Sequence, residues 1–95
     1  SMADKIKPGS IIRRNSEIIG SDIDGETVMM SVANGRYYGI NQVGSSIWHL
    51  LHEPMQLESI YAALQEEYEI DPETCEREVL VFLEDLMKNN IIIVD

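Results

Sequence analysis

Two dipeptides constrain this chain more than any other feature. Asp24-Gly25 and Asn34-Gly35 are the pairs that suit two-residue hairpin turns, because both central residues of such a turn need positive φ. They cut the first half of the chain into three runs of strand length, over residues 17–23, 26–32 and 36–40. In the middle run Val28, Met30 and Val32 alternate with Thr27, Met29 and Ser31, so one set faces a core and the other does not. The expected unit is a three-stranded antiparallel meander.

The second half changes period. Asn41 is a cap for a first helix over 42–52, with Val43, Ile47, Leu50 and Leu51 on its apolar face and Trp48 beside them. Glu53-Pro54 stops it. A second helix over 57–68 repeats Leu57, Ile60, Tyr61, Leu64 and Tyr68 at helical spacing. The third has the clearest start: Asp71 as cap, Pro72 in the first turn and Glu73 at the positive helix end. It runs to Lys88, where Asn89-Asn90 supplies a left-handed stop, and residues 91–94 form a last extended run. Three strands followed by three helices make an α+β domain, winged-helix-like, with a three-stranded antiparallel sheet preceding a three-helix bundle. The 95 residues suit one such domain. It is expected over 16–95, behind a flexible arm over 1–15 whose Ser10 to Arg14 stretch has strand character. Ser1 ahead of Met2 reads as a cleavage scar.

Charge excludes partners. Seven Lys and Arg stand against 17 Asp and Glu, a net charge of −10. Phosphate backbones and anionic lipid surfaces select the opposite balance, so neither nucleic acid nor membrane is expected, and basic or neutral partners are favoured. The single cysteine, Cys75, gives no disulfide framework and fits a reducing cytoplasm.

Catalytic chemistry has little to stand on. His49 and His52 are three apart on the first helix, but no third ligand has matching spacing, and a solvated helix end explains them as well. Cys75 lies in the first turn of the third helix, where the dipole lowers a thiol pKa. Yet no histidine is near it in sequence, and its spacing to Val79, Phe82 and Leu86 puts it on the core stripe. There is no phosphate loop and no nucleophile elbow. No catalytic residue, metal or cofactor is expected.

Two features point to binding instead. The last strand of a meander is an open edge unless the chain covers it, and an open edge is an aggregation hazard unless it is used. The strand Arg36, Tyr37, Tyr38, Gly39 and Ile40 carries two aromatics and a glycine that lets another backbone approach; at least one of Tyr38 and Ile40 is expected in the core. Its use would be strand addition by a peptide. On the third helix, Cys75, Val79, Phe82, Leu83 and Leu86 form the core stripe, while Leu80 and Met87 lie off it beside Glu76 and Glu84. Periodicity leaves open whether that flank lines a groove or merely widens the core face.

The segment Asn34-Gly35-Arg36-Tyr37-Tyr38-Gly39-Ile40-Asn41, followed by Val43-Gly44-Ser45-Ser46-Ile47-Trp48, resembles the PqqD family pattern. So does the later run from Val79 through Phe82 and Leu83 to Leu86. The resemblance covers residues 16 to 95. It departs at Asn90, where glycine is common, at Gln56, where threonine is common, and at Glu78, where aspartate is common. PqqD-like domains are RiPP recognition elements, and the likeness is strongest to the stand-alone B1 proteins of lasso-peptide pathways. It implies a non-catalytic module that binds the leader of a ribosomally made precursor peptide as an added strand. The module then delivers that precursor to a separate leader peptidase or other modifying enzyme. The implied contacts are Arg36 to Ile40 on the strand and Glu76, Leu80, Leu83, Glu84 and Met87 on the helix, so aspartate at Leu80 or Met87 should abolish capture. The alternatives are a peptide chaperone for a radical enzyme in quinone-cofactor synthesis and a winged-helix transcriptional regulator.

Overall fold

The structure, a computed structural model, describes residues 5–95. The chain runs β1 (Ile11–Arg14), β2 (Ile18–Ile23), β3 (Glu26–Ser31), β4 (Tyr37–Ile40), α1 (Gln42–Leu50), β5 (Met55–Gln56), α2 (Leu57–Glu67), α3 (Pro72–Lys88) and β6 (Ile92–Val94). The strands form two three-stranded antiparallel sheets, β2-β3-β4 and β5-β1-β6.

The first sheet is the expected meander, or wing. Its first turn is the two-residue kind, with Asp24 at φ 52° and Gly25 at φ 83°, and Ile23 pairs directly with Glu26. The second turn differs from the expected two-residue form. Only Gly35 has positive φ there, at 69°. Gly35 N–H donates to the Ser31 carbonyl and Ser31 N–H donates to the Arg36 carbonyl, which makes a four-residue loop over 32–35. Asn34 serves it through its side chain, whose oxygen accepts from Arg36 N–H at 2.9 Å. The core face is the Thr27, Met29 and Ser31 set, all buried. Tyr38 and Ile40 stand across from Met29 and Thr27 and share that face.

From residue 5 onward the second sheet corrects the expected flexible arm over 1–15, whose first four residues lie outside the described residues. Ile12 is fully buried in the central strand β1, and Ile6 also belongs to the core. Gly9 N–H donates to the Glu58 carboxylate at 3.1 Å. The neighbours of β1 come from far along the chain, with Ile12 opposite Met55 on one side and Val94 on the other. Local polarity suggested a loose arm because those partners are invisible to a local reading. The scar at Ser1 and Met2 lies outside the described residues.

The helices start as their caps dictate. Asn41 Oδ1 accepts from Gly44 N–H at 2.8 Å, and Asp71 Oδ2 accepts from Thr74 N–H at 3.0 Å. Gln56 makes no side-chain cap. Asn90, at φ 58°, turns the chain from α3 into β6. Ile47, Trp48, Leu51, Ile60, Leu64, Val79, Leu83 and Leu86 fill the space between the helices and both sheets. Trp48 packs so closely on Gly20 that a side chain there would meet its indole, and Arg14 stacks 4.3 Å from the centre of the same ring. Arg14 Nε also donates to the Trp48 carbonyl at 3.1 Å, which ties β1 to the end of α1.

Candidate functional site: the β4 edge and its cavity

Among the described residues β4 is an edge strand; β3 flanks it on one side and no strand on the other. Hydrogen-bonded pairs alternate along an antiparallel ladder. Ser31 bonds Arg36, so Tyr38 and Ile40 direct their backbone groups to β3 while Tyr37 and Gly39 direct theirs outward. Gly39 is exposed, with no atom within 4 Å of where a Cβ would stand. The edge therefore offers two residues of free donors and acceptors, one of them without a side chain to obstruct an incoming backbone.

Beside the end of this strand lies a cavity of about 260 Å³. Its walls come from the start of α1 (Asn41, Val43, Gly44, Ile47), the end of α2 and its loop (Leu64, Tyr68, Ile70), and α3 (Cys75, Glu78, Val79, Phe82). The lining is apolar except for Asn41, Glu78 and the Tyr68 hydroxyl. Gly44 is the pivot: a Cβ there would stand 2.8 Å from Phe82 Cζ and 3.1 Å from Ile40 Cβ. That close approach seats Phe82 of α3 on α1 beside the end of β4 and needs the bare glycine. Ser46 Oγ donates to Glu67 Oε2 at 3.0 Å and accepts from the Tyr68 hydroxyl 2.8 Å away, which fixes the wall between α1 and α2.

The expected site residues divide. On the strand, Arg36, Tyr37 and Gly39 are exposed, Tyr38 is half-buried against the core and Ile40 is buried. On the helix, Leu83 is fully buried and presents no surface to a ligand. Glu84 and Met87 line a different hollow, with Lys5, Lys88 and β6. Glu76 and Glu84 lie near Tyr61 of α2, whose hydroxyl is pushed up by burial first, then by Glu76 and Glu58, and less by Cys75 and Glu84. None of Glu76, Leu80, Leu83, Glu84 and Met87 lines the cavity beside β4. Phe82 and Glu78 do, and Phe82 is about 160° around the helix from Leu80. The helical wheel shows two flanks of α3 without saying which one lines this cavity; the Phe82 flank does, and the flank expected from the sequence lies away from it.

Cys75 is fully buried in the cavity wall. Burial pushes its thiol up, the reverse of what a thiolate nucleophile needs. His49 is held at both ring nitrogens, by the Ser45 carbonyl and by Asp22. Among the described residues no group of three or more potential ligands comes together, and no helix is long and apolar enough to cross a membrane. α3 carries Glu73, Glu76, Glu78, Glu84 and Asp85 against Arg77 and Lys88, a poor face for a phosphate backbone.

The family model for Coenzyme PQQ synthesis protein D (PqqD) matches residues 26–92. This chain belongs to the PqqD family. Among solved structures, TbiB1 in complex with the TbiA(beta) leader peptide is 34% identical to it. That likeness covers 84% of this chain and 93% of TbiB1, with a TM-score of 0.79. A lasso peptide synthetase B1 complexed with its leader peptide shares the fold at 22% identity and a TM-score of 0.73, covering 86% of this chain and 96% of that one. No curated protein matches.

Proposed function

We propose that this chain binds the leader segment of a ribosomally made precursor peptide, as a strand added to β4, within a lasso-peptide pathway. The observation that carries the reading is the free β4 edge running into an apolar cavity in a PqqD-family chain. Its 34%-identical neighbour is a leader-peptide complex. An extended peptide beside Tyr37 and Gly39 gains backbone hydrogen bonds, and its alternate side chains turn toward the cavity. Arg36 to Ile40 form the strand side. The helix side is Phe82, Val79 and Glu78, with Val43 and Gly44 of α1, in place of the Leu80 and Met87 flank. Glu78, the one charged group of the lining, favours Lys or Arg next to the apolar anchor.

The module is read as non-catalytic and cytoplasmic. It orders a disordered leader, which costs chain entropy that the backbone bonds and the anchors offset, and it leaves the core segment free for an enzyme. The outer face of the wing supports a protein partner of that kind. Ile19, Met30 and Tyr37 stand in one cross-strand row, and Ile19, Ile23 and Tyr37 are exposed, an apolar patch that water alone does not favour. A leader peptidase or other modifying enzyme is the proposed occupant. The family's quinone-cofactor description supports the second reading, a peptide chaperone for that pathway; the neighbour at 34% identity favours the first.

The test is fluorescence polarisation with two labelled peptides: the TbiA(beta) leader and the precursor encoded beside this chain's gene. Saturable binding of at least one, lost on Phe82→Asp, is the expected result. Failure of both peptides to bind would overturn the reading.

A further inference from the structure

We propose that Gly20 and Trp48 are positioning residues: the indole seated on the bare glycine sets the spacing between the wing and α1, and with it the gap between the β4 edge and its cavity. A Cβ on Gly20 would overlap Trp48 Nε1 and stand 3.1 Å from Cε2 and 3.4 Å from Cζ2. The indole has little room to withdraw. Trp48 is buried, and the Arg14 guanidinium lies 4.3 Å from its ring centre. Arg14 Nε and Nη2 both donate to the Trp48 carbonyl. The contact therefore works as a stop. It fixes how near helix and sheet come, and a side chain at residue 20 forces them to a new distance.

The stop reaches the site by two routes. Across the wing, Gly20 stands opposite Met29 and Met29 opposite Tyr38, so one row on the core face runs from the seat of Trp48 to β4. β2 is paired to β3 from Ile18 through Ile23, so a push on Gly20 moves the sheet rather than one residue. Along α1, Trp48 follows Gly44 by four residues, which puts both on one face a turn apart. Gly44 is where Phe82 and Ile40 close in, 2.8 Å and 3.1 Å from the place of a Cβ. Asn41, Val43, Gly44 and Ile47 are walls of the cavity, and a helix this short moves as one body. At Gly20 the sheet makes room for a helix side chain, and at Gly44 the helix makes room for Ile40 and Phe82.

The consequence for capture rests on the reading of β4 as the leader edge. A leader that bonds the edge and places side chains in the cavity needs one separation between the two, so a displacement in either direction weakens it. Alanine at residue 20 holds the wing and α1 apart. Methionine at residue 48, thinner and more flexible than the indole, lets them close. In combination the added Cβ takes up room that the indole has left, and the spacing returns.

The test is the affinity for the labelled TbiA(beta) leader, measured by polarisation at a temperature where circular dichroism shows every variant folded. Gly20→Ala and Trp48→Met should each lose about tenfold, and the double variant should recover to within about threefold of the wild type, the coupling expected of two residues in contact. Ile12→Val, buried in β1 and outside the cavity wall, is the control: its melting temperature should fall while the folded protein keeps its affinity. In the peptide-free protein, the ring-current shift that Phe82 imposes on Gly44 Hα should change in each single variant and return in the double. Additive losses in the double variant, or a Gly44 shift indifferent to residues 20 and 48, would overturn the proposal. If Gly20→Ala does not fold, the double variant must still bind more tightly than Trp48→Met alone. Absent binding by the wild type would count against leader capture instead, and the Gly44 shift would then decide the seat by itself.

Discussion

The two flanks of α3 look alike in sequence and differ in what they face. Each carries an apolar pair with acids beside it: Phe82 and Val81 with Glu78 and Asp85 on one, Leu80 and Met87 with Glu76 and Glu84 on the other. Phe82 of the first flank lies against Gly44, which also abuts Ile40 at the end of β4. The second meets β6 and the Tyr61 side of α2. Composition does not separate them; what separates them is which sheet edge lies alongside. β4 offers the outward groups of Tyr37 and Gly39, while β6 is a three-residue strand with Lys5 and Lys88 near it, the kind of short, charged edge that discourages pairing.

The largest effect is expected between the flanks. Leu83→Ala, at a fully buried position, should lower stability by about 2–5 kcal/mol in chemical denaturation. It should weaken leader binding only in so far as it unfolds the protein, whereas a direct contact would lose affinity at full folding. Next come the flanks themselves. Phe82→Asp should reduce leader affinity on the order of a hundredfold by putting a charge in the apolar cavity, and Met87→Asp should leave it within about twofold. Polarisation alongside thermal melts separates these losses from misfolding. Gly39→Pro removes one outward N–H and crowds the edge, so about a tenfold loss is expected. The smallest effect lies at the start of α3. Thr74 N–H holds the Asp71 carboxyl below the usual carboxylate range. The stability it contributes is full above the ordinary carboxylate titration and is lost as pH falls through the depressed one. Asp71→Asn should flatten that acid limb of a melting-temperature profile.

Much of this was legible because it is written locally. Asp24-Gly25 sets its turn, Asn41 and Asp71 cap their helices, and Asn90 stops α3, each through groups within a few residues. The helical stripe through Cys75, Val79, Leu83 and Leu86 gave core positions that are all buried, while the period-2 run of β3 left its two faces to choose between. What was not legible depends on long-range docking. Ile12 looked like part of an arm because its partners Met55 and Val94 are distant in sequence. On the helix side periodicity finds the off-stripe pair Leu80 and Met87 but carries no sign for the direction of β4, and the cavity beside β4 lies on the other flank. The one local hint of the proposed flank is Gly44 in the first turn of α1, where a glycine costs helix stability and so points to a close neighbour. That neighbour is Phe82.

The most direct test of the account is a titration of the isotope-labelled protein with the TbiA(beta) leader peptide, read amide by amide. The account predicts that Tyr37 and Gly39 shift and gain protection from exchange, with Gly44, Glu78 and Phe82 following and Ile92, Val94 and Met87 unmoved. Protection gained at Ile92 and Val94 with β4 unchanged would contradict it.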